Sequence, residues 1–519
     1  MKILFNVVLL GILLTIPIAA TAEEISMGTI NMTVGDEEYL TVDQTGELTV
    51  TGSWSKDTKD DTDDPSNTTE NWTDAGNYSI GWYNKNLTEY TLSTNKELAG
   101  MAVIVNNGYS DFEGKTIKLG ANVNMSGKNW VPCGTFKGTF DGLGHTISGI
   151  NICIVSEDTQ NEFGFWRRFE NAHIRNLIME GTASVEVKNH EFAVTYFGGM
   201  VGYCDGLGSI EKCEVKMDVY FNRHEVYSLS SGAPSQWSYI GGIVGWNGFS
   251  NSPIKYCKHL GNLTCELPEW FTVQAIAMGG IAGRGDNVQF CENISDEIYL
   301  KDYMRSESFY RYLGGICGTS NSYDSSKSIL CCRSIVDRIN IKQVSKPTTR
   351  ISAYYHLGGI VPTRNHWEGN VSGFNKGSIN CYSSISNIVF DAKNQDANLY
   401  YGGIGSDESK SKACFSNSDV QIDIPIAGYN AMGHLFDGST SFSSSQMKIP
   451  AFLEELNMYS LLEMDDGPAW TQPAEGGYPY IGALYESSGV DCVLVDDDGK
   501  AAPVYSLSGQ RLAAPRRGV

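Results

Sequence analysis

Tyr239-Ile240-Gly241-Gly242-Ile243-Val244-Gly245 is the stretch whose reading decides the fold, because it recurs. The other copies are Tyr196-Phe197-Gly198-Gly199-Met200-Val201-Gly202, Ala277-Met278-Gly279-Gly280-Ile281-Ala282-Gly283 and Tyr312-Leu313-Gly314-Gly315-Ile316-Cys317-Gly318. His356-Leu357-Gly358-Gly359-Ile360-Val361-Pro362 and the shorter Tyr400-Tyr401-Gly402-Gly403-Ile404-Gly405 complete the series. Counted at the first glycine, successive copies lie 43, 38, 35, 44 and 44 residues apart. A second mark follows each copy, an apolar residue and then a cysteine: Ile210/Cys213, Ile254/Cys257, Val288/Cys291, Ile329/Cys332, Ile379/Cys381 and Ala413/Cys414.

After the cysteine comes a short alternating run such as Val215-Lys216-Met217-Asp218-Val219, and strict period-two alternation reads as strand. Helical periodicity is nearly absent between residues 90 and 440. A repeat of this length with a few short strands cannot bury its own apolar face, so it must stack on its neighbours. A propeller blade would show four hairpin-linked strands and a Trp-Asp signature, and no Trp-Asp dipeptide occurs. The expected fold is therefore all-β, a parallel β-helix. Its glycines would turn tight corners and permit close backbone approach. If each repeat supplies two coils, equivalent cysteines stand about 10 Å apart, too far for disulfides. Cys213, Cys257, Cys291, Cys332 and Cys381 are then expected as inward thiols. A scattered disulfide among Cys204, Cys317, Cys331 and Cys414 is the alternative.

Composition bounds the function. The 519 residues carry 38 Lys+Arg against 60 Asp+Glu, a net charge of −22, which repels phosphate backbones and makes nucleic acid an unsuitable partner. Lys2, the apolar run Ile3 to Ala19 and Ala20-Thr21-Ala22 read as a cleaved signal peptide over residues 1–22. No later segment is apolar for long enough to span a bilayer, so no transmembrane segment is expected in the mature chain.

Leu92-Ser93-Thr94-Asn95-Lys96-Glu97-Leu98-Ala99, Phe136-Lys137-Gly138-Thr139-Phe140-Asp141-Gly142 and the six Gly-Gly segments together resemble bacterial surface proteins with GLUG-type repeats. Phe163-Gly164-Phe165-Trp166 through Leu177 is similar to their linking coil. The resemblance covers about residues 90 to 440 and implies a right-handed parallel β-helix in an exported, surface-associated, adhesin-like protein. It implies no catalytic residue and no particular ligand. The tail from Val504 to Leu512 resembles C-terminal segments of proteins exported by Bacteroidetes-type bacteria.

The expected organisation is a small β module with an acidic loop (residues 23–90), the β-helix (91–440), a capping segment (441–485) and a tail (486–519). The cap would hold one helix, with Ile449, Phe452, Leu453 and Leu456 as its apolar stripe, and would cover the last open coil. The acidic stretch Asp57 to Asp74 lacks EF-hand spacing and reads as a solvated loop. No metal or cofactor motif occurs: C-x-x-C pairs, phosphate-binding glycine loops and H-E-x-x-H are all missing, so no cofactor is expected.

Two functions compete. The first is an exported cell-surface or secreted adhesin-like protein that binds a glycan or a host or bacterial surface partner through its longer loops. Trp237, Trp270 and Trp367 are the candidate ligand-stacking residues, against the plainer reading that they shield the coils beneath. Tyr303 to Arg311 is a further candidate loop. The alternative is a polysaccharide lyase or glycoside hydrolase, which needs positioned carboxylates or a base with charge stabilisers. Asp141 and His145 come nearest, and corner hydrogen bonding is the simpler role for both.

Overall fold

The computed structural model describes three short strands between residues 30 and 50, and most of the chain from residue 70 to residue 484. Within that range the segments 158–160, 189–193, 224–236, 249–251, 268–274, 303–308, 321–328, 345–352, 363–377, 392–396, 406–410 and 424–438, and single residues 466 and 475, lie outside the described set. So do the expected signal peptide, the C-terminal tail, most of the acidic loop, and Trp270 and Trp367. The chain divides into two compact units at Asn67/Thr68. The first contains an antiparallel sheet of Ile30–Val34, Glu37–Val42 and Leu48–Val50. The second begins some twenty residues earlier than the expected β-helix boundary, because Trp72 is buried and its backbone bonds to Asn129.

The second unit is a parallel β-helix with four sheets, of seven, six, eight and twelve strands. Each Gly-Gly copy ends one strand of the seven-stranded sheet, and consecutive copies pair directly: Gly198 with Gly241, Gly241 with Gly279, Gly279 with Gly314, Gly314 with Gly358 and Gly358 with Gly402. One repeat is therefore one coil, not two. The chain turns at the Gly-Gly pair into the six-stranded sheet and crosses a two- or three-residue strand of the eight-stranded sheet. It then enters the long strands of the twelve-stranded sheet, such as Glu214–Arg223 and Arg333–Gln343.

The Tyr312 copy shows why glycine occupies these positions. A Cβ on Gly314 would sit 1.9 Å from the Cys317 carbonyl oxygen, and one on Gly318 would sit 2.5 Å from the Met278 nitrogen of the preceding coil. At Gly315 it would lie 2.0 Å from Ser334 Oγ and 2.2 Å from the Gly359 oxygen. The second glycine thus faces an interior polar column in which His259, Asn293, Ser334, Ser383 and Ser416 are in register and buried. His259 sets Nδ1 2.8 Å from Asn293 Oδ1 and Nε2 3.1 Å from the Met217 oxygen. Burial holds its pKa below the usual histidine value despite those contacts.

The cysteine column is the mark of the next corner. Asn176, Lys212, Tyr256, Phe290, Cys331, Asn380 and Ala413 all turn with φ between 48° and 55°. Left-handed backbone is costly for a side-chain-bearing residue and persists only where its surroundings over-determine it. Leu177, Cys213, Cys257, Cys291, Cys332, Cys381 and Cys414 follow, pointing inward and buried. With one coil per repeat, equivalent thiols are neighbours across a single inter-strand spacing, about 4.8 Å. That replaces the 10 Å expectation. From Cys257 onward each Sγ reaches a carbonyl of the previous coil, as in Cys291 to Ile254 (3.5 Å) and Cys414 to Ser378 (3.1 Å). None of the twelve described cysteines is in a disulfide, Cys204, Cys317, Cys331 and Cys414 included, so the scattered disulfide does not form.

Both ends depart from expectation. Helix α1, Asn95–Asn106, sits where no helix was expected and buries every residue from Leu98 to Val105. Its capping box joins Thr94 and Glu97 reciprocally. At the other end, helix α2, Pro450–Glu463, lies on a side of the solenoid and not across the last coil. Phe452 and Leu456 are buried against Tyr382 and Phe415, whereas Ile449 is exposed. The segment then descends over earlier coils. Tyr382 Oη and Arg333 Nη1 (2.8 Å) both donate to the Pro479 oxygen, and the Ile481 N–H donates to Glu292 Oε1 (2.7 Å). Beneath this strap Arg333 and Glu292 form a buried ion pair at 2.6 Å.

Candidate functional site

Outward residues of the seven-stranded sheet make the most distinctive described surface. In a parallel pair, in-register residues stack one coil apart, so one residue type repeated in the motif becomes a column. Tyr196, Tyr239, Ala277, Tyr312, His356 and Tyr400 form one column. Val194, Trp237, Ala275, Tyr310 and Tyr354 form a second beside it. Across the Gly-Gly bend, the six-stranded sheet contributes Arg168, Tyr203, Trp246 and Arg284 in register.

The bend brings these rows together. Tyr196 meets Tyr203 edge-on with centroids 4.9 Å apart, and Tyr239 meets Trp246 at 4.7 Å. Arg168 lies over the Tyr203 ring and Arg284 over Trp246, at 4.5 and 4.2 Å. The result is a small hydrophobic core on the outside of the solenoid, in which Tyr239, Trp246, Ala275, Ala277 and Tyr312 are buried. Its charges are matched locally, Arg168 by Glu162 and Arg284 by Asp286 at 3.8 Å. Burial raises the phenol pKa of Tyr196 to about 12, so the hydroxyl stays protonated at neutral pH.

Trp237 is half-buried in this cluster. Its ring is nearly parallel to Tyr239 (5.4 Å, 11°) and to Tyr312 (5.9 Å, 11°), bridging the gap that Ala277 leaves. Those neighbours occupy ring face that a sugar would need, so packing explains Trp237 more fully than ligand stacking. The aromatic columns themselves were not foreseen, although an aromatic ring two residues before the first glycine in five of the six copies, all but Ala277, was their signal. Arg311 is not an exposed loop residue: it is buried and makes two 3.0 Å bonds to Asp302.

The residues nearest to a catalytic pair are not brought together as acid and base. Burial opposes ionisation of Asp141, but bonds from Asn176 (3.0 Å), the Leu143 N–H (3.0 Å) and Arg175 (2.7 Å) outweigh it and hold the carboxyl below its ordinary value. His145 Nδ1 faces Asn122 Oδ1 at 3.3 Å. Among the described residues no group of three or more His, Cys, Asp or Glu is placed to hold a metal ion, and no helix is long and apolar enough to cross a membrane. Comparison with family models, curated proteins and solved structures finds no match for this chain.

Proposed function

We propose that this is an exported, adhesin-like binding protein, carried at the cell surface or secreted, whose β-helix displays a recognition surface for a glycan or a surface partner. The observation that carries the reading is a pair of adjacent outward columns rich in aromatic rings: Tyr196, Tyr239, Tyr312, His356 and Tyr400 over six coils, interrupted at Ala277, and Trp237, Tyr310 and Tyr354 beside them. Aromatic side chains dominate recognition energetics because they bury large area at small entropic cost. A solenoid repeats such a surface without needing a cleft. The leading segment Met1 to Ala22 supports export. Fractionation and N-terminal sequencing of the native protein test that part, with Glu23 expected as the first residue. Binding of the mature chain to a glycan array and to intact cells, run beside a polysaccharide-cleavage assay, tests the rest. Release of new reducing or unsaturated ends would move the protein to the lyase or hydrolase class. Absence of binding to every surface would leave no support for the adhesin reading.

A further inference from the structure

Resting on that reading, we infer that the upper part of the aromatic face, at Tyr310, Tyr354 and Tyr400, is a binding track for a neutral, linear polysaccharide laid parallel to the solenoid axis. These three side chains remain partly exposed, unlike the buried Tyr239 and Tyr312 below them. Their rings are stacked nearly parallel, Tyr310 on Tyr354 (5.1 Å, 15°) and Tyr354 on Tyr400 (6.4 Å, 18°), with His356 on Tyr400 (4.8 Å, 10°).

Stacking fixes what the column offers. Tyr354 is stacked between Tyr310 of the coil before and Tyr400 of the coil after, so it presents its edge, and its distal end is the hydroxyl. The ligand therefore meets one hydroxyl on each of three consecutive coils, the step from Tyr354 to Tyr400 also crossing to the neighbouring column. Each hydroxyl donates one hydrogen bond and accepts others. A row of that kind suits an extended polymer of hydroxyl-bearing units running across the strands, and does not suit one sugar ring lying flat on one aromatic ring.

Charge selects among such polymers. The chain carries −22, and Arg168 and Arg284, the two in-register arginines of the neighbouring sheet, are engaged by Glu162 and Asp286. An anionic glycan would meet net repulsion with no dedicated cation among the described residues of this row, whereas a neutral one meets none.

The test is affinity electrophoresis or calorimetry of the mature full chain with a neutral linear β-glucan and a neutral mannan, with polygalacturonate and a sulfated glycan as anionic comparators. Tyr310→Phe, Tyr354→Phe and Tyr400→Phe are combined in one variant, which keeps the ring stack and removes the hydroxyls. The expected results are binding to at least one neutral polymer, weaker or no binding to the anionic pair, and at least about a tenfold loss in the triple-Phe variant with an unchanged melting temperature. Undiminished affinity in that variant, preference for the anionic polymers, or no neutral binding overturns the inference. If cells or anionic glycans still bind, the adhesin reading survives and this site alone fails. If nothing binds, both fail.

Discussion

Gly315 shows how a single residue is dictated by two neighbours at once. Its position must accommodate the Gly359 carbonyl of the next coil and Ser334 Oγ of its own, and only a missing Cβ leaves room for both. Gly242, Gly280 and Gly359 meet His259, Asn293 and Ser383 in the same way, with prospective Cβ distances of 2.4, 2.1 and 2.0 Å. Gly315→Ala should therefore cost at least about 3 kcal/mol, because the clash includes backbone that cannot rotate aside. Gly81→Ala, where nothing lies within 4 Å, should change stability by less than about 0.5 kcal/mol. Chemical denaturation of the two variants beside the parent checks the pair. Equal stability would mean that the coils can spread at the Gly-Gly corner.

Among the elements, the cysteine corner is the one whose chemistry is most exposed to test. Buried thiols such as Cys213, Cys291 and Cys332 are pushed well above the usual thiol pKa by burial, which makes them poor nucleophiles. In-register neighbours stand about 4.8 Å apart, within the Cα range of disulfides, but their Cα–Cβ vectors run parallel and keep the Cβ atoms near that same spacing, outside the roughly 3.5–4.5 Å of bridged pairs. The column should consequently stay reduced even in an exported protein. Thiol titration after unfolding without reductant should find most cysteines free, and fewer than about five would contradict the column. Native protein should resist alkylation at the same positions. The capping helix α1 is an element that the sequence concealed. A helix buried on all sides has no polar face, so it shows no amphipathic period, and only Thr94 and Glu97 at capping-box spacing announced it.

At the scale of the molecule, the C-terminal segment acts as a lateral strap over successive coils, from Phe415 down to Glu292. Asn380 is its central peg. Its side chain donates to the Leu456 oxygen (2.8 Å) and accepts from Trp470 Nε1 (2.8 Å). Asn380→Ala should lower stability by about 2–4 kcal/mol, since it strands the buried indole N–H as well as removing two bonds. Ala413 already occupies the equivalent left-handed corner, so backbone conformation alone does not forbid the change. Lys412→Ala, which removes the exposed pair with Glu463 and a cation–π contact with Tyr459 at 5.0 Å, should cost no more than about 1 kcal/mol. Comparable losses in the two variants would show that the strap is not held at Asn380.

The sequence by itself determined that this chain is a stacked β-solenoid, because a repeated Gly-Gly, a following cysteine and period-two alternation leave few other ways to bury the apolar positions. It also placed the repeat cysteines, Cys213, Cys257, Cys291, Cys332 and Cys381, on the inward side. Tertiary structure alone decided how many coils a repeat makes, since residue spacing does not reveal which strands become neighbours. That decision turned six separated cysteines into one column and scattered tyrosines into stacked rows. It also placed the C-terminal helix on the flank, because the outward residues Tyr382 and Phe415 offered apolar surface there. A column exists only once register is set, and register belongs to the pairing of coils.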